Sequence, residues 1–291
     1  MEQKMKVFVV DIAKCNGCYG CQVACKDEHV GNSWAPYSLP QPNTGQYWLK
    51  VKEWDRGQVS KVWVEYRPWL CMHCDDSPCA KVAPDAVYKR PDGLVILDPE
   101  KSRGHRELVD ACPHGAIYYN EELDTAQKCT GCAHLVDAGK LPHCVDLCAT
   151  GGLRFGDEED FAAEIAQAET FDDTGISVTG RAGATRPRVY YLNLPHLFIA
   201  GDVWDPQANE IIENAEVTLT LPDGSTRSTT TDDFGDFYFR RLDAGRYDLH
   251  IEAEGFATIE HKAIELHDSL NLGDFPLERN QSATLQASIG S

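Results

Sequence analysis

The sequence predicts an α+β protein of two parts, a cysteine-rich first part built around metal-binding loops and an all-β second part. All 12 cysteines lie between Cys15 and Cys148. From about residue 196, apolar residues recur at every second position, in short runs separated by turns such as PDG and DDFGD. A chain of 291 residues is long enough for two domains, each with its own core.

The first cysteine group, in CNGCYGCQVAC, indicates the chemistry of the first part. It places Cys15, Cys18, Cys21 and Cys25 at the spacing C-x2-C-x2-C-x3-C. In bacterial ferredoxins this run holds one 4Fe-4S cube with three thiolates and sends the fourth thiolate to the other cube of a pair. The group therefore predicts a bacterial-ferredoxin-like iron-sulfur domain.

The other eight cysteines form three further groups, in CMHCDDSPC, in ACPHGAI and between 129 and 148. They are Cys71, Cys74 and Cys79, then Cys112 alone, then Cys129, Cys132, Cys144 and Cys148. Each ferredoxin-like half needs two such groups to exchange ligands between its paired cubes. Four groups therefore predict a duplicated ferredoxin-like domain.

One of the four possible clusters lacks its ligands. A Lys-Cys-x-Gly-Cys frame occurs at 14–18 and 128–132, and it recurs at 101–105 with serine and histidine in place of the cysteines. Ferredoxin spacing applied backward from Cys112 and forward from Cys79 reaches four positions without cysteine. These positions are Ala83, Ser102, His105 and Leu108. All four belong to one site, which is predicted to hold no cluster.

Ligand exchange assigns every cysteine if the first group pairs with the fourth and the second with the third. Cluster A is predicted to bind Cys15, Cys18, Cys21 and Cys148; cluster B, Cys25, Cys129, Cys132 and Cys144; cluster C, Cys71, Cys74, Cys79 and Cys112. We therefore predict three 4Fe-4S clusters, and no catalytic residue in this chain.

Other metal chemistries fit parts of the pattern. The fourth group alone has the spacing of a four-thiolate zinc site, but the ferredoxin run favours iron-sulfur clusters. CMHC lacks the histidine that covalent haem attachment needs after its second cysteine, because residue 75 is Asp75. His105 is a possible iron ligand, as in Rieske centres, but no second ligand accompanies it, so a hydrogen-bonded His105 is favoured.

Charge and hydropathy exclude two classes of partner. The formal net charge of −19 argues against nucleic-acid binding. The first residues show no basic region followed by a long apolar run, and no later stretch approaches the roughly 18 apolar residues of a membrane span. We expect a cytoplasmic chain without direct membrane insertion, although a folded subunit can also be exported with a partner that carries the signal.

The second half divides into a linker and a sandwich. GDEEDFAAEIAQAET predicts a short surface helix with Phe161, Ile165 and Ala168 on one face, and SVTGRAGATRPR predicts an extended strap. Several alternating strands then predict an antiparallel β-sandwich. The predicted boundaries are 1–155 for the ferredoxin-like domain, 156–195 for the linker, 196–280 for the sandwich and 281–291 for a C-terminal tail.

The segment TDDFGDFYFRRLDAGRYDLHIEAEGF resembles the carboxypeptidase-regulatory or transthyretin-like module. Asp232, Asp233 and Asp236 offer carboxylates for calcium, but Asp beside Gly235 is typical of a turn that binds its own backbone, and we favour the turn. A docking or structural role is expected for this domain.

The cysteine groups, the ACPxGAI segment and the closing TRPRVYYLN together resemble the iron-sulfur subunits of molybdenum enzymes of the dimethyl sulfoxide reductase superfamily. The resemblance covers about residues 5 to 195. Most such subunits hold four clusters. The three-cluster form with a β-rich tail is similar to small subunits of the pyrogallol-phloroglucinol transhydroxylase and resorcinol hydroxylase type.

This resemblance implies an electron-transfer subunit in a heterodimer, or a higher assembly, with a large catalytic subunit. That subunit would hold molybdenum bis-molybdopterin guanine dinucleotide and act on polyhydroxylated aromatics in anaerobic metabolism. Two other functions stay open: electron transfer to an external acceptor, as in a resorcinol-type hydroxylase or a respiratory reductase, and an assembly module in which the clusters are structural.

Overall fold

The computed structural model describes residues 4–168, 170–171, 177–178 and 185–280. The chain forms two compact units, one of Met1–Trp54 and Glu65–Leu194 and one of Asp55–Val64 and Pro195–Ser291. The segment 55–64 therefore groups with the second unit, although it lies within the cysteine-rich half of the sequence. The sequence pattern of the hairpin that contains this segment did not indicate that residues 55–64 group with the second unit.

The first unit contains short helices and paired strands. Its helices are α1 (Gly20–His29), α2 (Pro78–Val82), α3 (Glu107–Ala111), α4 (Ala133–Asp137), α5 (His143–Asp146) and α6 (Ala162–Ile165). Its strands, with a hairpin that extends into the second unit, are β1 (Lys6–Asp11), β2 (Lys50–Gln58), β3 (Lys61–Trp69), β4 (Val87–Lys89), β5 (Val95–Leu97), β6 (Ile117–Asn120), β7 (Thr125–Lys128), β8 (Leu153–Asp157), β9 (Thr170–Phe171), β10 (Ser177–Val178) and β11 (Val189–Leu192). Strands β2–β3, β4–β5, β6–β7 and β9–β10 form two-stranded pairs.

A three-stranded sheet in the order β11-β1-β8 supports the cysteine loops. Its central strand KVFVVD is buried on both faces, so its side chains serve two cores. Phe8 and Val10 pack in the core that contains Cys21 and Cys25. Val7 and Val9 point to the opposite face. The strand thus fixes the first cysteine group against the rest of the unit.

The linker segment packs on that opposite face. A 3₁₀ turn over Glu158–Phe161 continues into the single turn of α6. Phe161, Ile165 and Ala168 lie against Val7 and Val9, so the helical spacing of these apolar residues serves a small core. Of the predicted strap, residues 179–184 lie outside the described residues.

The second unit contains two sheets, one antiparallel and one with a single parallel pair. Its strands are β12 (Leu197–Asp205), β13 (Glu210–Ile211), β14 (Glu216–Thr220), β15 (Thr226–Thr230), β16 (Asp236–Leu242), β17 (Gly245–Glu252), β18 (Ile259–Leu266) and β19 (Leu270–Pro276). One sheet has the order β13-β12-β16, with β19 parallel to β12, and the other has the order β15-β14-β17-β18. Alternate residues are buried, among them Val217, Leu219, Phe237, Phe239, Leu249 and Ile251.

The acidic turn of this unit uses its carboxylates locally. Asp232 Oδ1 accepts the backbone N–H groups of Phe234 at 3.0 Å and Asp236 at 2.9 Å. The Asp236 carboxylate lies 2.6 Å from Lys61 Nζ. The turn arrangement is therefore the one observed.

Lys61 is a buried cation shared by two carboxylates of the second unit. Its side chain is 7% exposed, and its Nζ lies 2.6 Å from both Asp202 and Asp236. Replacing Lys61 by methionine would leave two adjacent carboxylates without their cation. We expect Lys61→Met to lower the free energy of unfolding by about 3 kcal/mol, measured as the denaturation of the β-rich unit in the full chain. Lys262→Met, which removes an exposed cation paired with Glu260, is the control and should change little.

The same ion pair predicts the direction of a pH effect. Burial lowers the pKa of Lys61, but the two carboxylates outweigh it and the pKa lies above its usual value of 10.5. Because the pKa is raised on folding, the contribution is fully present below pH 10.5 and is lost as the pH rises through the folded value. Wild type should therefore lose stability above that pH more steeply than Lys61→Met; equal slopes would contradict the assignment.

Candidate iron-sulfur centres

The cysteine thiols are unpaired, and the electrostatic interactions between them divide them into three sets of four. In set A, Cys21 interacts electrostatically with Cys15, Cys18 and Cys148. In set B, the partners of Cys144 include Cys25, Cys129 and Cys132. In set C, the partners of Cys74 are Cys71, Cys79 and Cys112. Each set joins groups that are far apart in sequence, and the binding of one cluster by each set stays a prediction.

Set A lies at the surface around the start of α1. Cys18 is exposed, and Cys15 and Cys148 are half-buried. Gly17 has φ +69° and its Cα faces Tyr66, whose ring would lie 2.5 Å from an added Cβ. The loop therefore needs glycine both for its backbone conformation and for close approach. Burial raises the pKa of the Cys21 thiol to about 12, and the neighbouring thiols of the set add to this effect.

Set B is the most deeply buried. Burial, followed by the neighbouring thiols, raises the pKa of Cys25 and Cys144 well above the usual value of 9.0. His29 Nε2 lies 3.8 Å from the Cys132 sulfur. Burial, together with His134 and a further histidine, lowers the pKa of His29 to about 3. The ring is therefore neutral and can donate its remaining N–H to the sulfur.

A polar network around Glu28 supports that histidine. Glu28 Oε1 lies 2.9 Å from His134 Nε2, and Glu28 Oε2 lies 3.0 Å from His143 Nδ1. Trp34 stacks on His134 with ring centroids 4.1 Å apart. His29 itself contacts Trp48, whose ring centroid is 4.7 Å away. The aromatic rings keep set B away from water and hold the His29 ring in place.

Set C lines a small pocket that opens to solvent. All four thiols face it, together with Lys128 and His114. The Cys71 sulfur accepts the His73 N–H at 3.4 Å, and Ser77 Oγ donates to the Cys74 carbonyl at 2.7 Å. Burial first, and then the neighbouring thiols, raise the pKa of Cys74 to about 12.

The segment 185–193, which contains β11, also binds the loop that carries set C. The amides of Asp75 and Asp76 donate to the carbonyls of Arg186 and Thr185 at 2.9 and 3.0 Å. Arg188 Nε donates to Asp75 Oδ1 at 2.6 Å. Burial raises the pKa of Asp75, but Lys89 and Arg188 outweigh it and the pKa lies below the usual value. TRPRVYYLN thus holds CMHCDDSPC through both backbone and side chains.

The donor sets fit 4Fe-4S cubes better than single ions. Buried thiols with raised pKa values ionise only when a cation supplies compensating charge, as iron does when it is bound. The four thiols of set C line one pocket together, as ligands of a single cube would.

The four positions without cysteine are filled by ordinary side chains. Ala83 and Leu108 are buried in an apolar cluster that also contains Cys79 and packs against Cys112. Ser102 is fully buried, with its Oγ 2.7 Å from Thr125 Oγ1. His105 Nδ1 lies 2.7 Å from Glu107 Oε1, in accord with the hydrogen-bonded histidine favoured above. The space is therefore a packed core next to set C.

Neighbouring sets share structural elements. Cys21 and Cys25 both lie on α1, which links set A to set B. Cys71 interacts electrostatically with Cys129, which links set C to set B. These contacts link set A to set B and set B to set C, and the filled site adjoins set C.

The sequence did not reveal the groups around the thiols. His29, His134 and Arg188 act through contacts between residues far apart in the chain, and no spacing marks them. Lys128 did carry a signal, since it is the lysine of the Lys-Cys-x-Gly-Cys frame. Among the described residues no helix is long and apolar enough to cross a membrane.

Thiol sets that exchange ligands across two paired halves define a ferredoxin-type iron-sulfur protein. Residues 62–158 match the 4Fe-4S dicluster domain family, and residues 199–278 match the carboxypeptidase regulatory-like domain family. These matches confirm the predicted fold class, a ferredoxin-like iron-sulfur domain followed by a β-sandwich.

Known relatives place the protein more narrowly. It is 36% identical to the pyrogallol hydroxytransferase small subunit of Pelobacter acidigallici, over 89% of this protein and 96% of the relative. It is 35% identical to a tetrathionate reductase subunit of Salmonella typhimurium, over 66% and 74% of the two sequences. It is 33% identical to a subunit of the anaerobic dimethyl sulfoxide reductase of Escherichia coli, over 62% and 85%.

The chain belongs to the family of iron-sulfur subunits of molybdenum enzymes of the dimethyl sulfoxide reductase superfamily. It carries 4Fe-4S clusters and is the electron-transfer subunit of such an enzyme. The predicted family membership and electron-transfer role are thereby confirmed.

Proposed function

We propose that the chain holds three 4Fe-4S clusters, one on each thiol set, and serves a large catalytic subunit that transfers hydroxyl groups between polyhydroxylated aromatics, as from pyrogallol to phloroglucinol. That subunit would hold molybdenum bis-molybdopterin guanine dinucleotide and form a heterodimer with this chain. The observation that carries the proposal is the division of 12 cysteines into three complete sets beside one filled site. The similarity to the pyrogallol hydroxytransferase small subunit supports the substrate class.

The exposure of set A at Cys18 supports electron exchange with the catalytic subunit at this end. Cys18 is exposed, whereas every thiol of set B is buried. Val23 on α1 is 62% exposed and Leu147, next to Cys148, is 51% exposed, so apolar surface accompanies these thiols. When bound, the clusters supply one-electron transfer, and the chain itself holds them in series and limits their access to water.

The filled site supports a reaction without net oxidation. A respiratory subunit needs an outlet for electrons at the end of its series that lies away from the catalytic subunit. Here the position beyond set C is occupied by Leu108, Ala83 and Ser102. Hydroxyl transfer between aromatic rings is redox-neutral overall, so a shortened series remains adequate for it.

A second function is favoured by the similarity to tetrathionate and dimethyl sulfoxide reductase subunits. In that case the chain passes electrons to an external acceptor, as a subunit of a respiratory enzyme or of a resorcinol-type hydroxylase. The two functions differ in whether turnover needs the acceptor.

Iron and acid-labile sulfide in the anaerobically purified complex test the cluster count, and we expect three cubes. Zinc without sulfide would contradict the proposal. The same complex, assayed on pyrogallol with and without an electron acceptor, tests the reaction. We expect turnover without an acceptor, whereas a strict requirement for one would favour the hydroxylase or respiratory function.

A further inference from the structure

Lys128 is a buried lysine at the junction of sets B and C. It is 2% exposed, and its Nζ donates to the carbonyl of Val95 and, at 3.0 Å, to that of Cys129. The same ammonium lines the pocket of set C and interacts electrostatically with Cys71 and Cys79. Its sequence neighbour Cys129 belongs to set B. One charge therefore faces thiols of both sets.

The groups that balance this charge are thiols rather than carboxylates. Across the described ranges, the ion pairs between side chains include none with Lys128, and its two carbonyl acceptors are neutral. A buried ammonium without a counter-charge costs several kcal/mol. The electrostatic partners that raise its pKa are the sulfurs of Cys71, Cys79 and Cys129, which become permanent anions when a cluster is bound.

The same frame places its lysine differently elsewhere. Lys14 precedes Cys15, but its side chain is 53% exposed and its Nζ lies 3.4 Å from Asp11. Lys101 precedes the filled position Ser102 and is exposed. Of the three frames, only that of Lys128 buries its lysine between thiol sets, so the frame alone does not require burial.

We propose that Lys128 sets the reduction potentials of clusters B and C together. Reduction adds an electron to a centre that already carries four thiolates, and a buried positive charge beside it stabilises the reduced form. Because the ammonium faces both centres, it raises both potentials in the same direction and favours exchange of the electron between them. The inference rests on the proposed clusters B and C.

Lys128→Met keeps the length and apolar stem of the side chain and removes its charge. In a redox titration of the whole complex followed by electron paramagnetic resonance, we expect reduction of two clusters to become at least about tenfold less favourable, roughly 59 mV for a one-electron couple. The third cluster should be unchanged. Lys14→Met, the matched control, should shift none of the three. Potentials of clusters B and C that match wild type would overturn the inference.

If the methionine variant loses a cluster, Lys128→Arg, which keeps the positive charge, shows whether the loss of charge is the cause. Three clusters in Lys128→Arg and fewer in Lys128→Met would support the role of charge, whereas equal loss in both would overturn it. The iron and sulfide content of the wild-type complex distinguishes this outcome from failure of the proposed function. Fewer than three cubes in the unaltered complex would contradict the proposed clusters, whatever the variants show.

Discussion

Replacing Cys21 by alanine is expected to remove cluster A, while replacing Cys25 removes cluster B, although both residues lie one turn apart on α1. The Cys21 thiol interacts with Cys15 and Cys148, whereas Cys25 interacts with Cys129 and Cys132. Each variant should contain about a third less iron and sulfide than wild type. In electron paramagnetic resonance, the Cys21 variant should lack the signal of cluster A, and the Cys25 variant should lack the signal of cluster B.

The helix itself provides the control for this comparison. Val23 lies between the two cysteines and is 62% exposed, so Val23→Ala should keep all iron and sulfide. The Cys25 variant should also slow electron transfer between clusters A and C, because set B links the other two sets. Loss of the same spectrum in both cysteine variants would contradict the exchange of ligands between the first and fourth groups.

The thiol sets stay a prediction, and the sequence suggests them because short-range spacing indicates which cysteines share a loop. A cube needs three thiolates from one tight loop, so the separations of Cys15, Cys18 and Cys21 report the site directly. The fourth ligand is remote, but ferredoxin exchange leaves few possible partners. Alternating strands beyond residue 196 predicted the sandwich for a similar reason, since side chains repeat every second residue in a strand.

Contacts between distant segments could not be predicted in this way. Lys61 lies in the cysteine-rich half, yet its carboxylate partners, Asp202 and Asp236, lie in the sandwich sequence. Lys14 and Lys128 share one frame, but only Lys128 is buried, because β5 and set C cover it. Burial depends on which distant segments pack against a residue, and local sequence patterns do not predict those contacts.

Restoring cysteine at the four filled positions is expected to create a fourth cluster. The variant combines Ala83→Cys, Ser102→Cys, His105→Cys and Leu108→Cys. Truncating buried Leu108 opens space in the apolar cluster beside set C, at a cost of about 2 kcal/mol or more. Iron bound by the new thiolates offsets this cost, since metal binding contributes directly to folding. Iron and sulfide should rise by about a third, with a fourth component in electron paramagnetic resonance.

A serine version separates the opened space from the new ligands. Ala83→Ser, His105→Ser and Leu108→Ser, with native Ser102, open the same region without thiols and should bind no additional iron. A folded four-cysteine variant with wild-type iron would contradict the alignment of EKSRGH with the other two frames. A gain of iron would show that the loss of cysteines is what shortens the series. In that case the restored complex should pass electrons to an external acceptor faster than wild type, because the series again extends beyond set C.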